Sequence, residues 1–296
     1  MTLRQAINVI MGANIGTTVT AWILSLSGIS SDNVFVKLLK PSSFTPVLAL
    51  IGIILYLFTR ESRKRDTGMI LLGFATLMFG MEAMSGAVSG LRDLPEFQNL
   101  FVAFTNPVLG VLAGALLTAI IQSSSASVGI LQALASTGAV TYGAAVPIIM
   151  GQNIGTCITA ILSSVGANKN AKRAALVHLS FNVIGTVVWL SVFCLVKAIA
   201  VPVVLRESAS LMGIAVCHSV FNILCTMLML PLADMLERMV KKMIPDNETV
   251  EQTEELDARL LGSPALALER CGQVLDRMAE TAVEAMKEAL TTVCRY

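Results

Sequence analysis

Charged residues are scarce in this chain, and their scarcity indicates its broad class. Only 14% of the 296 residues are Asp, Glu, Lys or Arg, whereas 55% are hydrophobic. A soluble domain of this length needs far fewer apolar residues to fill its core. The composition therefore predicts an integral membrane protein.

The sequence also lacks the charge pattern of a nucleic-acid-binding protein. Its formal net charge is +1, and aromatic residues make up 5% of the chain. Proteins that hold a phosphate backbone carry clusters of Lys and Arg, often with aromatic residues between them. We therefore expect no nucleic-acid partner.

Metal-site and catalytic patterns are missing too. No CxxC pair and no His at zinc spacing occurs, and we interpret the six cysteines mainly as small buried hydrophobic residues. There is no nucleophile with a nearby base, no Gly-rich phosphate loop with a lysine, and no carboxylate pair in the polar segments. We therefore expect neither an enzyme nor a bound cofactor.

The chain does contain a near duplication. Residues 11–21, MGANIGTTVTA, recur as residues 150–160, MGQNIGTCITA. Each copy interrupts an apolar segment with two glycines, an amide and hydroxyl groups. Matching breaks in two repeats mark the binding site of many transporters, because unwound backbone and half-helix ends can hold an ion. We therefore predict a solute carrier with discontinuous helices at both copies.

Apolar segments long enough to approach or exceed one membrane crossing follow one another along the chain. They are residues 1–28, 43–59, 68–91, 107–138, 142–166, 174–201 and 209–232. A spanning helix needs roughly 20 residues, so only 43–59 is short. Residues 107–138 are too long for one span, and Gln122-Ser123-Ser124-Ser125 interrupts them.

Three basic clusters, at residues 60–65, 169–173 and 238–242, suggest an orientation. Short loops rich in Lys and Arg tend to stay in the cytoplasm. If all three clusters lie in the cytoplasm, the number of membrane crossings between them is consistent only when residues 107–138 form a re-entrant hairpin, which enters and leaves the membrane on the same side. The two near copies then run in opposite directions, so the repeats are inverted. Lys37 and Lys40 fall outside, against the same tendency.

The interruption at residues 122–127, QSSSAS, is expected to line a polar cavity. A hairpin that turns inside hydrocarbon needs such surroundings, because each unpaired N–H or C=O group in lipid costs several kcal/mol. Neutral amide and hydroxyl oxygens suit a partly dehydrated alkali cation, and we favour sodium. Helix starts after the breaks would also favour an anion. The alternative is that these small polar residues only pack helices together.

These motifs resemble those of a known family. Residues 122–127 followed by residues 150–156 are similar to the signature of the sodium/phosphate cotransporter family, in its bacterial type II-like branch. His178 and Asn182 belong to one H-x-x-F-N motif, and His218 and Asn222 belong to another. Both motifs are similar to the H-x-x-F-N helices of the family. The resemblance covers roughly residues 1–235. It implies sodium-coupled symport of inorganic phosphate across the cytoplasmic membrane of a bacterium, by alternating access.

The resemblance also implies a set of binding residues. Sodium and phosphate would be held by the second repeat and by the equivalent part of the first, at Gln122, Ser123, Ser124, Ser125, Asn153 and Thr156, and at Asn14, Thr17 and Thr18. Sodium, the co-transported ion, would lie at Gln122, Ser124, Asn153 and Thr156.

One feature of the family is missing ahead of the first copy. The family has a QSSS hairpin before each G-x-N-I-G-T segment, and none precedes Asn14, so we expect an N-terminal piece to be missing. The alternative function is a non-transporting phosphate-sensing or regulatory membrane protein, or an inactive transporter fragment.

Three ionisable residues in apolar segments have two interpretations each. His178 and His218 could contact a proton or phosphate, or could take part in hydrogen bonds between helices, which we favour. Glu82 could pack inside the bundle or contact a cation.

Beyond Lys242 the sequence becomes that of a soluble segment. An acidic linker at residues 246–257 precedes a predicted helix at 264–293, whose apolar residues recur at coiled-coil spacing. One such helix exposes too much apolar surface, so we expect partner helices or a homodimer. Residues 256–261 and 264–269 resemble the opening helix of a PhoU-like domain, which implies a cytoplasmic regulatory module.

The predicted fold is thus an all-α polytopic membrane protein with inverted repeats, a re-entrant hairpin and discontinuous helices, followed by a cytoplasmic amphipathic helix. Its expected parts are a truncated first repeat, a connecting membrane segment and loop, a second repeat, and a linker with a partial PhoU-like domain, at residues 1–60, 61–103, 104–235 and 236–296. Its expected partners are inorganic phosphate, sodium ions and the lipid bilayer.

Overall fold

A computed structural model describes residues 2–28, 41–90, 94, 96, 104–200, 202–245 and 264–293. Within these ranges the chain forms helices and no extended strand. Five stretches are long and apolar enough to cross a membrane: Leu3–Gly28, Ser62–Ser89, Tyr142–Ser164, Lys169–Ile199 and Leu211–Met229. The prediction of an all-α polytopic membrane protein is confirmed.

The α-helices are numbered here in chain order. They are α1 Leu3–Gly16, α2 Thr18–Ser25, α3 Pro41–Phe58, α4 Ser62–Ser89, α5 Pro107–Ile121, α6 Ser124–Ala135, α7 Tyr142–Ser164, α8 Lys169–Ile199, α9 Leu211–Met229, α10 Ala233–Met243 and α11 Pro264–Val293. Short 3₁₀ turns lie at Leu26–Gly28 and Val203–Arg206. The chain divides into two compact units, residues 1–245 and 246–296.

Polar side chains cap several of the membrane helices. The Thr2 hydroxyl accepts the Gln5 N–H at 3.3 Å while Gln5 Oε1 accepts the Thr2 N–H at 2.9 Å, which makes a capping box at the start of α1. Asn106, Asn168 and Ser210 accept backbone N–H groups at the starts of α5, α8 and α9. Such caps satisfy donors that lipid could not.

α5 and α6 form a helical hairpin at the predicted interruption, and its re-entrant course in the membrane stays a prediction. They contain 15 and 12 residues, so they are about 22 and 18 Å long at 1.5 Å per residue. A hydrocarbon core is about 30 Å thick. Neither leg can span it alone, as a re-entrant hairpin requires, and only Gln122 and Ser123 separate the two legs.

Glycines bring α5 into backbone contact with α7. A Cβ atom added to Gly114 would collide with the carbonyl oxygen of Ile148, and one added to Gly151 would collide with that of Val111. Gly155 is equally close to α5, at the Ala115 carbonyl oxygen. Small residues at four-residue spacing are how membrane helices approach each other closely, so the hairpin is fixed against α7.

The predicted break at the second copy is wrong. α7 runs without interruption from Tyr142 to Ser164, through Asn153 and Thr156. In the first copy a single residue, Thr17, separates α1 from α2, and its φ of −60° and ψ of −24° are helical. Gly151 and Gly155 serve the close contact with α5 instead of unwinding the helix. The discontinuity in this part of the fold lies at Gln122 and Ser123.

The second unit contains α11, whose observed bounds, Pro264–Val293, match the predicted helix. Several of its apolar side chains are exposed within the described residues: Leu268, Leu275, Met278, Val283, Met286 and Leu290. Lys37, Lys40, the acidic linker and residues 256–261 lie outside the described ranges. The likeness to a PhoU-like domain, the inverted orientation of the repeats and the cytoplasmic placement of α11 stay predictions.

Candidate functional site

The hairpin turn has an unusual backbone conformation. Gln122 adopts the left-handed region, with φ 58° and ψ 23°, and its N–H donates to the Thr118 carbonyl at 2.7 Å, which ends α5. Ser123 then caps α6, because its hydroxyl accepts the Ala126 N–H at 3.2 Å. Residues other than glycine rarely take up positive φ. The turn leaves Gln122 exposed and Ser123, Ser124 and Ser125 half-buried at the start of α6.

Behind the turn lies a buried polar cluster formed by Thr118, Ser127 and Gln152. The Thr118 hydroxyl donates to Ser127 Oγ at 2.7 Å. Gln152 Nε2 donates to the Ser127 carbonyl at 3.0 Å and to its Oγ at 2.9 Å. All three side chains are at most 1% exposed. Gln152 Oε1 is buried and has no partner among the described residues, so one acceptor of this cluster is unpaired.

The second leg of the hairpin also contacts the first copy. Ser125 Oγ lies 3.5 Å from Thr20 Oγ1 on α2. Gln132 Nε2 donates to the Ala21 carbonyl at 3.0 Å and to the Leu211 carbonyl at 2.9 Å. α6 therefore has polar contacts with α2 on one side and with α7 on the other.

The predicted ligands of the second copy lie along the continuous helix α7. Asn153 is 5% exposed, and its Nδ2 donates to the Ile149 carbonyl at 2.9 Å. The Thr156 hydroxyl donates to the Gln152 carbonyl at 2.8 Å. Thr156 therefore keeps only oxygen lone pairs, whereas Asn153 keeps its Oδ1 lone pairs and one N–H of its amide. The oxygens of both side chains can serve as ligands of a cation.

The predicted ligands of the first copy are less closely connected to the hairpin. The hydroxyls of Thr17 and Thr18 donate to the Asn14 and Ile15 carbonyls at 2.8 and 2.7 Å. Asn14 is 5% exposed, and its Nδ2 has no partner among the described residues. No hydrogen bond within the described ranges joins these three side chains to the hairpin. Thr20, one turn further along, makes that contact instead.

The two histidine motifs use their asparagines in the same way. Asn182 Nδ2 donates to the His178 carbonyl at 3.0 Å, and Asn222 Nδ2 donates to the His218 carbonyl at 2.9 Å. Asn182 also donates to Cys157 Sγ on α7 at 3.3 Å. In the first motif, Asn182 therefore contacts the neighbouring helix, and the Cys157 thiol adds a second contact by donating to the His178 carbonyl at 3.4 Å.

The three ionisable residues of the apolar segments differ in exposure. His178 is half-buried and His218 is 3% exposed. Glu82 is exposed on α4. It does not pack inside the bundle that the described residues form.

Ser127 belongs to the interruption that was predicted to line a polar cavity, but four other residues of this region were not predicted: Thr20, Thr118, Gln132 and Gln152. Two of them carried a signal. Gln152 stands where the first copy has Ala13, and Gln132 is an isolated amide in an apolar helix. The described residues contain no cluster of His, Cys, Asp or Glu that could hold a metal ion, so the polar groups of this region are amides, hydroxyls and backbone groups.

Comparison with known proteins identifies the family. The model of the family described as Na+/Pi-cotransporter matches residues 1–86 and 93–224. "Putative inorganic phosphate export protein YjbB" of Salmonella typhimurium is 28% identical over 295 residues, which are 98% of this chain and 51% of that protein. "Uncharacterized protein YqeW" of Bacillus subtilis is 29% identical over 248 residues, covering 83% and 75%. Human "Sodium-dependent phosphate transport protein 2B" is 39% identical over 137 residues, covering 43% and 19%.

The chain spans about half the length of the Salmonella relative. No solved structure matches it. The family match covers most of the chain and includes the hairpin, both near copies and the two histidine motifs. It confirms the resemblance seen in the sequence, and the family is one of transporters and not of enzymes. The chain therefore belongs to the Na+/Pi-cotransporter family.

Proposed function

We propose that this chain moves inorganic phosphate across a membrane in symport with sodium, by alternating access around the hairpin α5–α6. The family and the names of the relatives support phosphate and sodium as solutes. The observation that carries the proposal is the turn at Gln122 and Ser123, which places polar groups between two apolar helices too short to cross a bilayer.

Sodium is proposed to bind neutral oxygens of the turn and of α7, at Gln122, Ser124, Asn153 and Thr156. Asn153 and Thr156 each donate one proton to a helix carbonyl, and their side-chain oxygens keep lone pairs for a cation. An alkali ion suits neutral oxygens, whereas divalent transition metals would require imidazole, thiolate or carboxylate ligands.

Phosphate is proposed to bind at the start of α6, where backbone N–H groups and the hydroxyls of Ser123, Ser124 and Ser125 converge. The first turn of a helix carries unpaired N–H groups and a partial positive charge. Helices α5, α6 and α7 contain no lysine or arginine. An anion here depends on a co-bound cation for charge balance, which is a physical basis for coupling.

Alternating access is proposed to move the first repeat, residues 1–60, against the second, residues 104–235. Met11 and Met150, equivalent positions of the two copies, belong to one buried cluster, as a pseudo-symmetric pair would. Among the described residues, one polar contact between the parts joins Trp22 Nε1 to Ser219 Oγ at 2.9 Å. Movement of one part against the other would exchange this contact and repack the shared cluster.

The test is uptake of radiolabelled phosphate into proteoliposomes that contain the purified chain. An inward sodium gradient should drive accumulation, and an equal potassium gradient should not. Gln122→Ala and Ser124→Ala should each lower sodium-driven uptake about tenfold or more, because each removes a ligand oxygen. Ser163→Ala is the matched control, since that hydroxyl is exposed and bonds only the Thr159 carbonyl of its own helix.

Three outcomes would contradict the proposal. Equal uptake with sodium and potassium gradients would show that phosphate transport is not coupled to sodium. Unchanged uptake by both hairpin variants would show that the hairpin turn is not the binding site. A complete lack of uptake in reconstituted, folded protein would favour the regulatory alternative.

A further inference from the structure

We propose that the chain carries a second anion site, remote from the hairpin turn, which binds a phosphate group. The site is a cavity of about 390 Å³ that opens where α7 begins and α8 ends. Its lining includes Thr105, Thr141, Gly143, Lys197, Leu205 and Arg206. The phosphate group is either inorganic phosphate or the phosphate of an anionic lipid headgroup.

Two positive charges line this cavity, and none of the lining residues that the structure describes is acidic. Lys197 Nζ donates one hydrogen bond, to the Thr105 carbonyl at 2.7 Å. An ammonium group has three donors and a guanidinium group has five. Within the described ranges, no hydrogen bond or ion pair engages the Arg206 side chain. Both cations therefore have donors free for an anion.

The start of α7 adds to the positive potential. Thr141 occupies the N-cap position, but its hydroxyl does not cap the helix. Because Thr141 also lines the cavity, the positive end of the α7 helix dipole lies beside the cavity. Gly143 brings the backbone of the 3₁₀ turn Val203–Arg206 close, because a Cβ atom at that position would lie 2.8 Å from the Leu205 carbonyl oxygen.

A short bridge between two loops fixes the position of Arg206. The Tyr142 N–H donates to the Glu207 carbonyl at 3.1 Å, and the Ala209 N–H donates to the Val140 carbonyl at 2.8 Å. Ser208 Oγ donates to the Gly138 carbonyl at 2.8 Å. These bonds hold the segment that carries Arg206 against the start of α7. Because the backbone that carries Arg206 is already ordered, less of the chain has to be ordered when an ion binds.

This cavity is far from the hairpin turn. Thr105 precedes the first residue of α5, and Gln122 follows the last. The 15 residues of α5 separate the two places by about 22 Å. An anion in the cavity is therefore a different ion from the one proposed at the start of α6, and its binding does not require sodium or transport.

The experiment measures equilibrium binding of labelled inorganic phosphate to the full chain in phosphatidylcholine nanodiscs, in sodium-free potassium buffer of low ionic strength. The variant K197Q/R206Q should bind about tenfold or more weakly, because charge-assisted hydrogen bonds to a phosphate are lost. K197R/R206K, which keeps both charges, should bind within about threefold of the unaltered chain. K169Q/K172Q removes the same charge at the other end of α8 and should bind within about twofold.

A second arm identifies the source of the phosphate group. The same chain is placed in nanodiscs that contain phosphatidylglycerol, and retained lipid is counted by native mass spectrometry. If this lipid lowers phosphate binding and K197Q/R206Q no longer retains it, the site binds a lipid headgroup. If the lipid leaves phosphate binding unchanged, the site binds free phosphate. The proposal is overturned if K197Q/R206Q matches the unaltered chain in both phosphate binding and lipid retention. Because sodium is absent throughout, failure of coupled transport would not affect either result.

Discussion

Gln152 on α7 is bonded twice to Ser127 on α6, since its Nε2 atom reaches the Ser127 carbonyl at 3.0 Å and the Ser127 hydroxyl at 2.9 Å. Both side chains are buried. Ser127 lies one turn into α6 from the hairpin turn, and Gln152 precedes Asn153. The pair therefore sets how the two halves of the proposed sodium site face each other.

Replacing Gln152 by Leu should destabilise the protein by about 1–3 kcal/mol, because the buried carbonyl and hydroxyl of Ser127 each lose the hydrogen bond from Gln152. A double-mutant cycle with Ser127→Ala should show a coupling energy of about 0.5–3 kcal/mol, as residues in one network do. Reversible unfolding in detergent gives these free energies. Strict additivity of the two substitutions would show that the contact does not hold the hairpin to α7.

Gly151→Ala should weaken the packing of α5 against α7 by several kcal/mol or prevent folding, because the added methyl collides with the Val111 carbonyl. Gly12 is the equivalent position in the first copy, and nothing lies within 4 Å of a Cβ atom there. Gly12→Ala should therefore be neutral or stabilising by about 0.5–1 kcal/mol, because alanine favours a helix.

The two glycine variants are compared by yield of monodisperse protein and by unfolding temperature. If Gly151→Ala were as stable as Gly12→Ala, the close approach of α5 and α7 would be wrong. The pair is a sharp comparison because the same change is made at equivalent positions of two near-identical stretches.

These glycines also show where prediction from the sequence fails. A glycine that breaks a helix and a glycine that lets another helix approach look the same in one segment. Gly151 is seen to serve packing only in the structure, where α5, the helix that contains Gly114, lies against it. Gln152 was missed for the same reason, since its partner Ser127 lies in another helix.

Local patterns were more informative. The bounds of α11 follow from apolar periodicity within one segment. The hairpin follows from Gln122-Ser123-Ser124-Ser125, which interrupts a run of apolar residues, together with the count of crossings that the basic clusters require. Features that depend on one stretch of chain could be predicted, whereas contacts between stretches could not.

Gln122 has a backbone role and a proposed ligand role, and two substitutions separate them. Gln122→Gly keeps the positive φ at no steric cost but removes the amide, so the hairpin should stay folded while sodium-driven uptake falls about tenfold or more. Gln122→Val keeps a side chain but strains the left-handed turn, which should cost about 1–2 kcal/mol of stability. Unfolding measurements and uptake assays on the two variants decide the matter. Full uptake by Gln122→Gly would leave Gln122 with the backbone role alone.

Sodium should strengthen phosphate binding at the hairpin, because α5, α6 and α7 contain no cationic side chain to balance the anion. The coupling is reciprocal, so phosphate must raise sodium affinity by the same factor. Titration of the K197Q/R206Q variant by calorimetry, in both orders of addition, isolates the hairpin from the cavity beside α8. We expect a factor of about 5–150 in each direction, the range of typical coupling energies. Equal phosphate affinity in sodium and potassium would show that the hairpin binds the anion without a co-bound cation, and the physical basis for symport proposed here would be lost.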